Sequence, residues 1–155
     1  MSDTHPSSHK IIIMNRILLA IGAMLTLFLA ALHIIFPWFF QWETSLSSLS
    51  NSNRAVFLTA HLWIILILIT FACVSFLTWR DLLSTVLGRI LLLSIGLLWS
   101  IRAYTEVTCF RIGVDGSGWR VFLFGAIAVI YWIPLLSAWY NTLQAAIPGF
   151  STNPR

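Results

Sequence analysis

The chain has 155 residues, of which 59% are hydrophobic and only 9% are charged, and its mean hydropathy is +0.89. Soluble domains carry about 25% charged residues, so this composition excludes a soluble globular protein and predicts an integral membrane protein. The net charge of +4 comes from single basic residues at the ends of apolar runs. No basic cluster could neutralise successive phosphates, which excludes a nucleic-acid partner.

Four apolar runs are long enough to cross a bilayer, for which about 20 residues suffice because a helix rises about 1.5 Å per residue. They predict an all-α fold, an integral membrane four-helix bundle in which the transmembrane helices alternate up-down-up-down. The predicted spans are 17–40, 55–78, 82–104 and 120–140. They form a single domain (15–141) between a disordered N-terminal tail (1–14) and a short C-terminal tail (142–155).

The first span follows Lys10 and Arg16. Its apolar run is too long for a cleaved signal peptide and lacks a small-residue cleavage pattern, so we expect an uncleaved signal anchor. Gly22, Thr26 and Ala30 form a stripe of small residues that favours close contact with another helix.

Pro37 and an aromatic segment, Trp38–Trp42, follow the first span. Pro37 is expected to end or kink the helix, and the aromatic side chains are typical of a membrane interface. A polar loop rich in Ser and Asn leads to the second span. The short connection Thr78–Asp81 then predicts that spans two and three form an antiparallel hairpin.

The third span contains an intramembrane charge, Arg89, about two turns from its predicted start. A charge at such depth costs on the order of 3 kcal/mol on insertion scales. Two interpretations remain open: the side chain snorkels to the headgroups near Arg80, or it is a buried cation on a substrate or ion path. At the other end of this span, Arg102 and Glu106 have the i,i+4 spacing of a helical ion pair.

Spans three and four carry further packing signals. Gly96 and Ser100 allow a neighbouring helix to approach closely. Pro134 predicts a kink in the fourth span. Tyr131 and Trp132 suit either a membrane interface or the bundle interior.

The two cysteines, Cys73 and Cys109, fall in the second span and in the loop after the third. A disulfide between them is not expected. The sequence has no C-x-x-C motif, which argues against a thiol–disulfide redox enzyme. Cys73 is interpreted as a small buried residue of the core.

Polar residues gather at the outer end of spans one to three. His33 and His61 lie at similar depth on neighbouring antiparallel helices, and Trp99, Arg102 and Glu106 end the third span on the same side. Ionisable groups in such a position are candidates for a functional site. We therefore predict a polar pocket formed by these residues.

His33 and His61 are weak candidates for haem or metal ligands, since they occur in no ligand-spacing motif. They could equally bind a quinone or only form hydrogen bonds between helices. No metal is assigned, and the cofactor is unknown, with none favoured. The best interpretation is a non-enzymatic bundle, transporter-like or an accessory subunit; the alternative is a membrane redox or lipid-modifying protein.

The expected partners are the lipid bilayer and, beyond it, a second copy of the chain or another membrane protein. The basic residues that precede the first span predict that both termini are cytoplasmic. This orientation suits a plasma membrane or a bacterial inner membrane and places the polar pocket at the outer surface.

Overall fold

The computed structural model describes residues 6–109 and 118–146. The helices in these ranges are α1 (Pro6–Phe39), α2 (Trp42–Ser45), α3 (Asn51–Leu77), α4 (Trp79–Ser84), α5 (Val86–Thr108) and α6 (Gly118–Ala146). This part of the chain contains no strand, and α1, α3, α5 and α6 are each long and apolar enough to cross a membrane. The prediction of an all-α four-helix membrane bundle is confirmed.

The four long helices pack as antiparallel neighbours in the order α3, α1, α6, α5. We call the end with the α1–α3 connection the loop end, and the end with the start of α1 and the last turns of α6 the terminal end. The short helix α4 contacts both α3 and α5 at the terminal end. Over the described residues α3 and α5 make no extended contact with each other, so a groove separates them toward the loop end.

A buried hydrogen-bond network joins three of the long helices. The Tyr131 hydroxyl of α6 lies 3.3 Å from Thr26 Oγ1 of α1 and accepts a hydrogen bond from Ser75 Oγ of α3, also at 3.3 Å. Tyr131 is fully buried, and Gly22 lies directly against its ring. Tyr131 therefore faces the bundle interior and packs on the small-residue stripe of α1.

The third span begins later than predicted, because α4 forms a separate corner. Thr85 has an extended backbone, and its Oγ1 accepts a hydrogen bond from the Gly88 amide at 2.9 Å, which starts α5 at Val86. The backbone of α4 passes very close to Gly88: a Cβ at this position would lie 2.1 Å from the Asp81 carbonyl oxygen. This close passage is possible because glycine has no side chain. Arg89 consequently lies in the first turn of α5.

The first and last helices are longer than predicted. Residues 6–14 belong to α1 instead of a disordered tail, because their isoleucines extend the apolar helix and proline is well tolerated at a helix start. Pro37 lies inside the last turn of α1, and Pro134 lies inside α6. Residues 142–146 continue α6, whereas residues 1–5 and 147–155 of the predicted tails lie outside the described residues.

Candidate ligand groove at the loop end

His33 and His61, which were predicted to lie at similar depth on neighbouring helices, are in contact. The rings of His33 and His61 stack with centroids 5.6 Å apart and an interplanar angle of 23°. His33 Nδ1 lies 2.8 Å from the carbonyl oxygen of Leu29, and His61 Nε2 lies 2.9 Å from the carbonyl oxygen of His33. Because a carbonyl oxygen only accepts, each imidazole donates one N–H to the backbone of α1.

This arrangement does not fit axial ligation of one haem. Two axial histidines must point nitrogens at an iron from opposite sides of the macrocycle, whereas these rings lie against each other and His61 Nε2 is bonded to a carbonyl. Within residues 6–109 and 118–146, no group of three or more His, Cys, Asp or Glu residues could hold a metal ion. The histidine pair fits an interhelical hydrogen-bonding role.

Glu106 forms a buried ion cluster at the end of α5. Its side chain is only 1% exposed, and its two oxygens accept from Arg102 Nη2 and, at 3.1 Å, from Arg120 Nε. The Arg102 guanidinium also lies 4.5 Å from the ring centroid of Phe124, and this ring stacks on Trp99 with centroids 5.9 Å apart. The predicted Arg102–Glu106 pair is confirmed, and it is extended by Arg120 and Phe124 of α6.

The groove between α3 and α5 has a volume of about 340 Å³. Its apolar wall includes residues of both helices: Ile64, Ile67, Leu68, Leu98 and Ile101. Its polar lining consists of His33, Trp99, Arg102 and Thr105. Trp99 is 2% exposed, and its Nε1 has no hydrogen-bond partner in the described chain.

The predicted pocket residues therefore separate into two sets. His33, Trp99 and Arg102 line the groove, whereas His61 and Glu106 lie outside its lining and hold lining residues in place through the contacts above. The sequence interpretation gave Arg120 no role in the pocket, although it lies at the start of the helix that follows the end of α5. Arg89 is at the terminal end, where it lines a different cleft.

The remaining candidates of the sequence interpretation lie away from the groove. Trp42 packs edge-on against His61, with ring centroids 4.5 Å apart, whereas Trp38 is 73% exposed. Cys73 and Cys109 are free and exposed. Cys73 is thus not the buried core residue that was predicted, because it lies on a face of α3 that no other described helix covers.

The lining residues of the groove combine an apolar wall with an indole, an imidazole, a guanidinium and a hydroxyl. The lining given by the described residues includes no carboxylate. Such a site can bind an apolar molecule whose polar group accepts hydrogen bonds. Comparison with protein-family models, curated proteins and solved structures finds no match for this chain.

Proposed function

We propose that this chain is an integral membrane protein that binds a lipid-like molecule in the groove between α3 and α5. The observation that carries the proposal is the buried Trp99 Nε1, which lacks an acceptor and belongs to a lining residue of the groove. Leaving a buried donor unpaired costs about 1–3 kcal/mol. A carbonyl oxygen of an ester, amide or quinone would recover that energy.

The other lining residues fit the same class of ligand. The isoleucines and leucines of α3 and α5 match an acyl or isoprenoid chain, and Arg102 and Thr105 offer further polar contacts to a headgroup. The described lining contains no carboxylate to pair with the His33 imidazole, whose Nδ1 already donates to the Leu29 carbonyl, and we therefore favour a binding role over catalysis. A transporter-like protein or an accessory subunit meets this description.

We further propose that both termini are cytoplasmic, in a plasma membrane or a bacterial inner membrane. The support is the set of basic residues at the terminal end: Lys10, Arg16, Arg80 and Arg89. Cytoplasmic segments next to spanning helices are enriched in such residues. In this orientation the groove opens in the outer half of the bilayer.

The test is photolabelling of the full chain in vesicles with a diacyl phosphatidylcholine that carries a diazirine in one acyl chain. We expect the label to concentrate on Ile64, Ile67 and Ile101. Trp99→Phe keeps the ring stack on Phe124 but removes the N–H, so it should lower this labelling about fivefold.

Two neighbouring substitutions provide the matched control. Leu98→Trp fills the groove and should suppress labelling, whereas Leu97→Trp adds the same ring to a side chain that is 44% exposed and outside the lining. Labelling spread evenly over all exposed helix faces, unchanged in Leu98→Trp, would contradict the proposal.

A quinone-binding redox protein is the second candidate, favoured by the presence of both Trp99 and His33 in the lining. A quinone carbonyl accepts hydrogen bonds from such groups. The check is an absorption spectrum of the organic extract of purified protein before and after borohydride reduction. A quinone band that bleaches on reduction and is lost in Trp99→Phe would favour this candidate, and an extract containing only phospholipid would exclude it.

A further inference from the structure

A second cleft lies at the terminal end, where α1, α4, α5 and α6 meet, and has a volume of about 390 Å³. Polar residues of all four elements or their ends line it: Asn15, Ser84, Arg89, Asn141 and Thr142. It is separate from the groove at the loop end and shares no lining residue with it. Two of the side chains that line this cleft can each form a further hydrogen bond or ionic contact.

Asn15 is the first of these side chains. It is only 4% exposed, and its Nδ2 donates a 3.0 Å hydrogen bond to Ser137 Oγ of α6. Its Oδ1 is buried and has no partner among the described residues. An amide oxygen in this situation requires an N–H or O–H donor, and its loss of hydration otherwise remains uncompensated.

Arg89 is the second. Its Nη1 donates to Thr142 Oγ1, and the side chain is half-buried. The ion pairs found in the described chain both involve Glu106 at the opposite end of the bundle. Arg89 is therefore a cation without a carboxylate partner in residues 6–109 and 118–146, and it suits an anionic oxygen.

An apolar groove of about 410 Å³ continues from this cleft along α5 and α6. Ile90, Leu93, Trp139 and Leu143 line it, and Arg89 and Thr142 are shared with the polar cleft. A polar compartment joined to an apolar one at an arginine matches a phospholipid, whose phosphate lies between a headgroup and acyl chains.

We propose that this composite site holds one anionic phospholipid with a hydroxyl in its headgroup, of the phosphatidylglycerol class. The phosphate binds Arg89, the headgroup hydroxyl donates to Asn15 Oδ1, and one acyl chain lies along Ile90 and Leu93. Charge complementarity favours this occupant, because Arg16 and Arg80 also lie at the terminal end, with their guanidinium carbons 5.6 and 5.2 Å from the Trp79 ring centroid. Clusters of basic residues at a membrane surface attract anionic lipids.

The test is native mass spectrometry of the full chain in detergent, titrated with dioleoyl phosphatidylglycerol. Arg89→Gln should weaken binding of the first lipid about tenfold, because it removes a charge-assisted contact. Arg54→Gln is the matched control: it removes the same charge from a side chain at the loop end, outside the cleft, and should have a much smaller effect. Arg89→Lys retains the charge and should preserve most of the affinity.

The role of Asn15 is tested with dioleoyl phosphatidylmethanol, which has the same charge but no headgroup hydroxyl. Wild-type protein should bind it about fivefold more weakly than phosphatidylglycerol. In Asn15→Leu the two lipids should bind equally. A preference for phosphatidylglycerol that survives in Asn15→Leu would overturn the assigned contact.

A third arm distinguishes a lipid from a free anion. Millimolar inorganic phosphate should not displace the lipid, and Leu93→Trp, which fills the apolar groove, should reduce lipid binding. Displacement by phosphate together with unchanged binding in Leu93→Trp would assign the site to a soluble anion. Equal affinities of Arg89→Gln and Arg54→Gln would overturn the proposal altogether.

Discussion

Among the charged side chains of the described residues, Glu106 is the most deeply buried and makes the most ionic contacts. The carboxylate is 1% exposed and accepts from Arg102 of its own helix and Arg120 of the next. Removing one member of a buried ion cluster leaves the other charges without compensation, which is costly even where the intact cluster contributes little. Glu106 thus connects the end of α5 to the start of α6.

We therefore expect Glu106→Gln to lower the free energy of unfolding by about 2 kcal/mol. This loss is smaller than that for a fully buried ion pair, because both arginines are about one-third exposed and water screens their charges. Thermal unfolding in a mild detergent measures the change. The control is Glu43→Gln, an exposed carboxylate near the same membrane surface. Equal shifts in both variants would show that Arg102 and Arg120 do not depend on this carboxylate.

The limits of sequence interpretation are also visible at individual residues. Counting residues along two antiparallel helices predicts that His33 and His61 lie at similar depth, but their ring contact depends on how α1 and α3 are rotated about their axes and could not be predicted. The unpaired nitrogen of Trp99 could not be predicted either, because it depends on which groups approach the indole in three dimensions. The same holds for Arg120, whose contact with Glu106 requires the angle at which α6 returns along α5.

At the scale of elements, the α4–α5 corner depends on Gly88. Hydropathy could not predict this corner, because WRDLLS continues into the apolar run of α5 and shows no change of composition at Thr85. The four long helices, in contrast, are each specified by about 20 apolar residues. The interruption between α4 and α5 arises from the Thr85 side-chain cap and from the close passage of the α4 backbone past Gly88. Both are local features, and a hydropathy average over many residues does not detect them.

Gly88→Ala should accordingly disrupt the corner and destabilise the protein by about 1–3 kcal/mol, as overpacking does. A Cβ at Gly88 would meet backbone atoms of Asp81 and Leu82, which cannot rotate away. Gly96→Ala is the matched control, since its Cβ would lie 3.4 Å from the Trp132 ring, an ordinary contact. Denaturation of the two variants in the same detergent makes the comparison, and a stable Gly88→Ala protein would refute the tight crossing.

At the scale of the whole molecule, exposed apolar side chains cover the outside of every long helix, with Phe28, Trp63 and Phe122 at 60%, 60% and 81%. The interior is held together by α6, which contacts both α1 and α5. Such a molecule requires lipid or detergent around its full circumference. The proposed orientation can therefore be tested with reagents that do not cross the bilayer.

The native cysteines provide that test. In intact cells we expect a membrane-impermeant maleimide to label Cys109, which is exposed at the loop end just after α5. Cys73 lies within the spanning helix α3 and should react poorly, so Cys73→Ser should leave the labelling unchanged, whereas Cys109→Ser should abolish it. Labelling of Cys109 that appears only after permeabilisation would place the loop end in the cytoplasm.

The short helix α4 connects the ends of α3 and α5 at the terminal end of the bundle. This connection also bears on how a molecule could approach Trp99. Among the described residues, α4 joins these two helices at the terminal end, and the hydrogen-bond network of Tyr131 connects α1, α3 and α6 without involving α5. If the groove binds a lipid-like molecule as proposed, we expect that molecule to enter from the bilayer through the seam between α3 and α5, without breaking an interhelical hydrogen bond of that network.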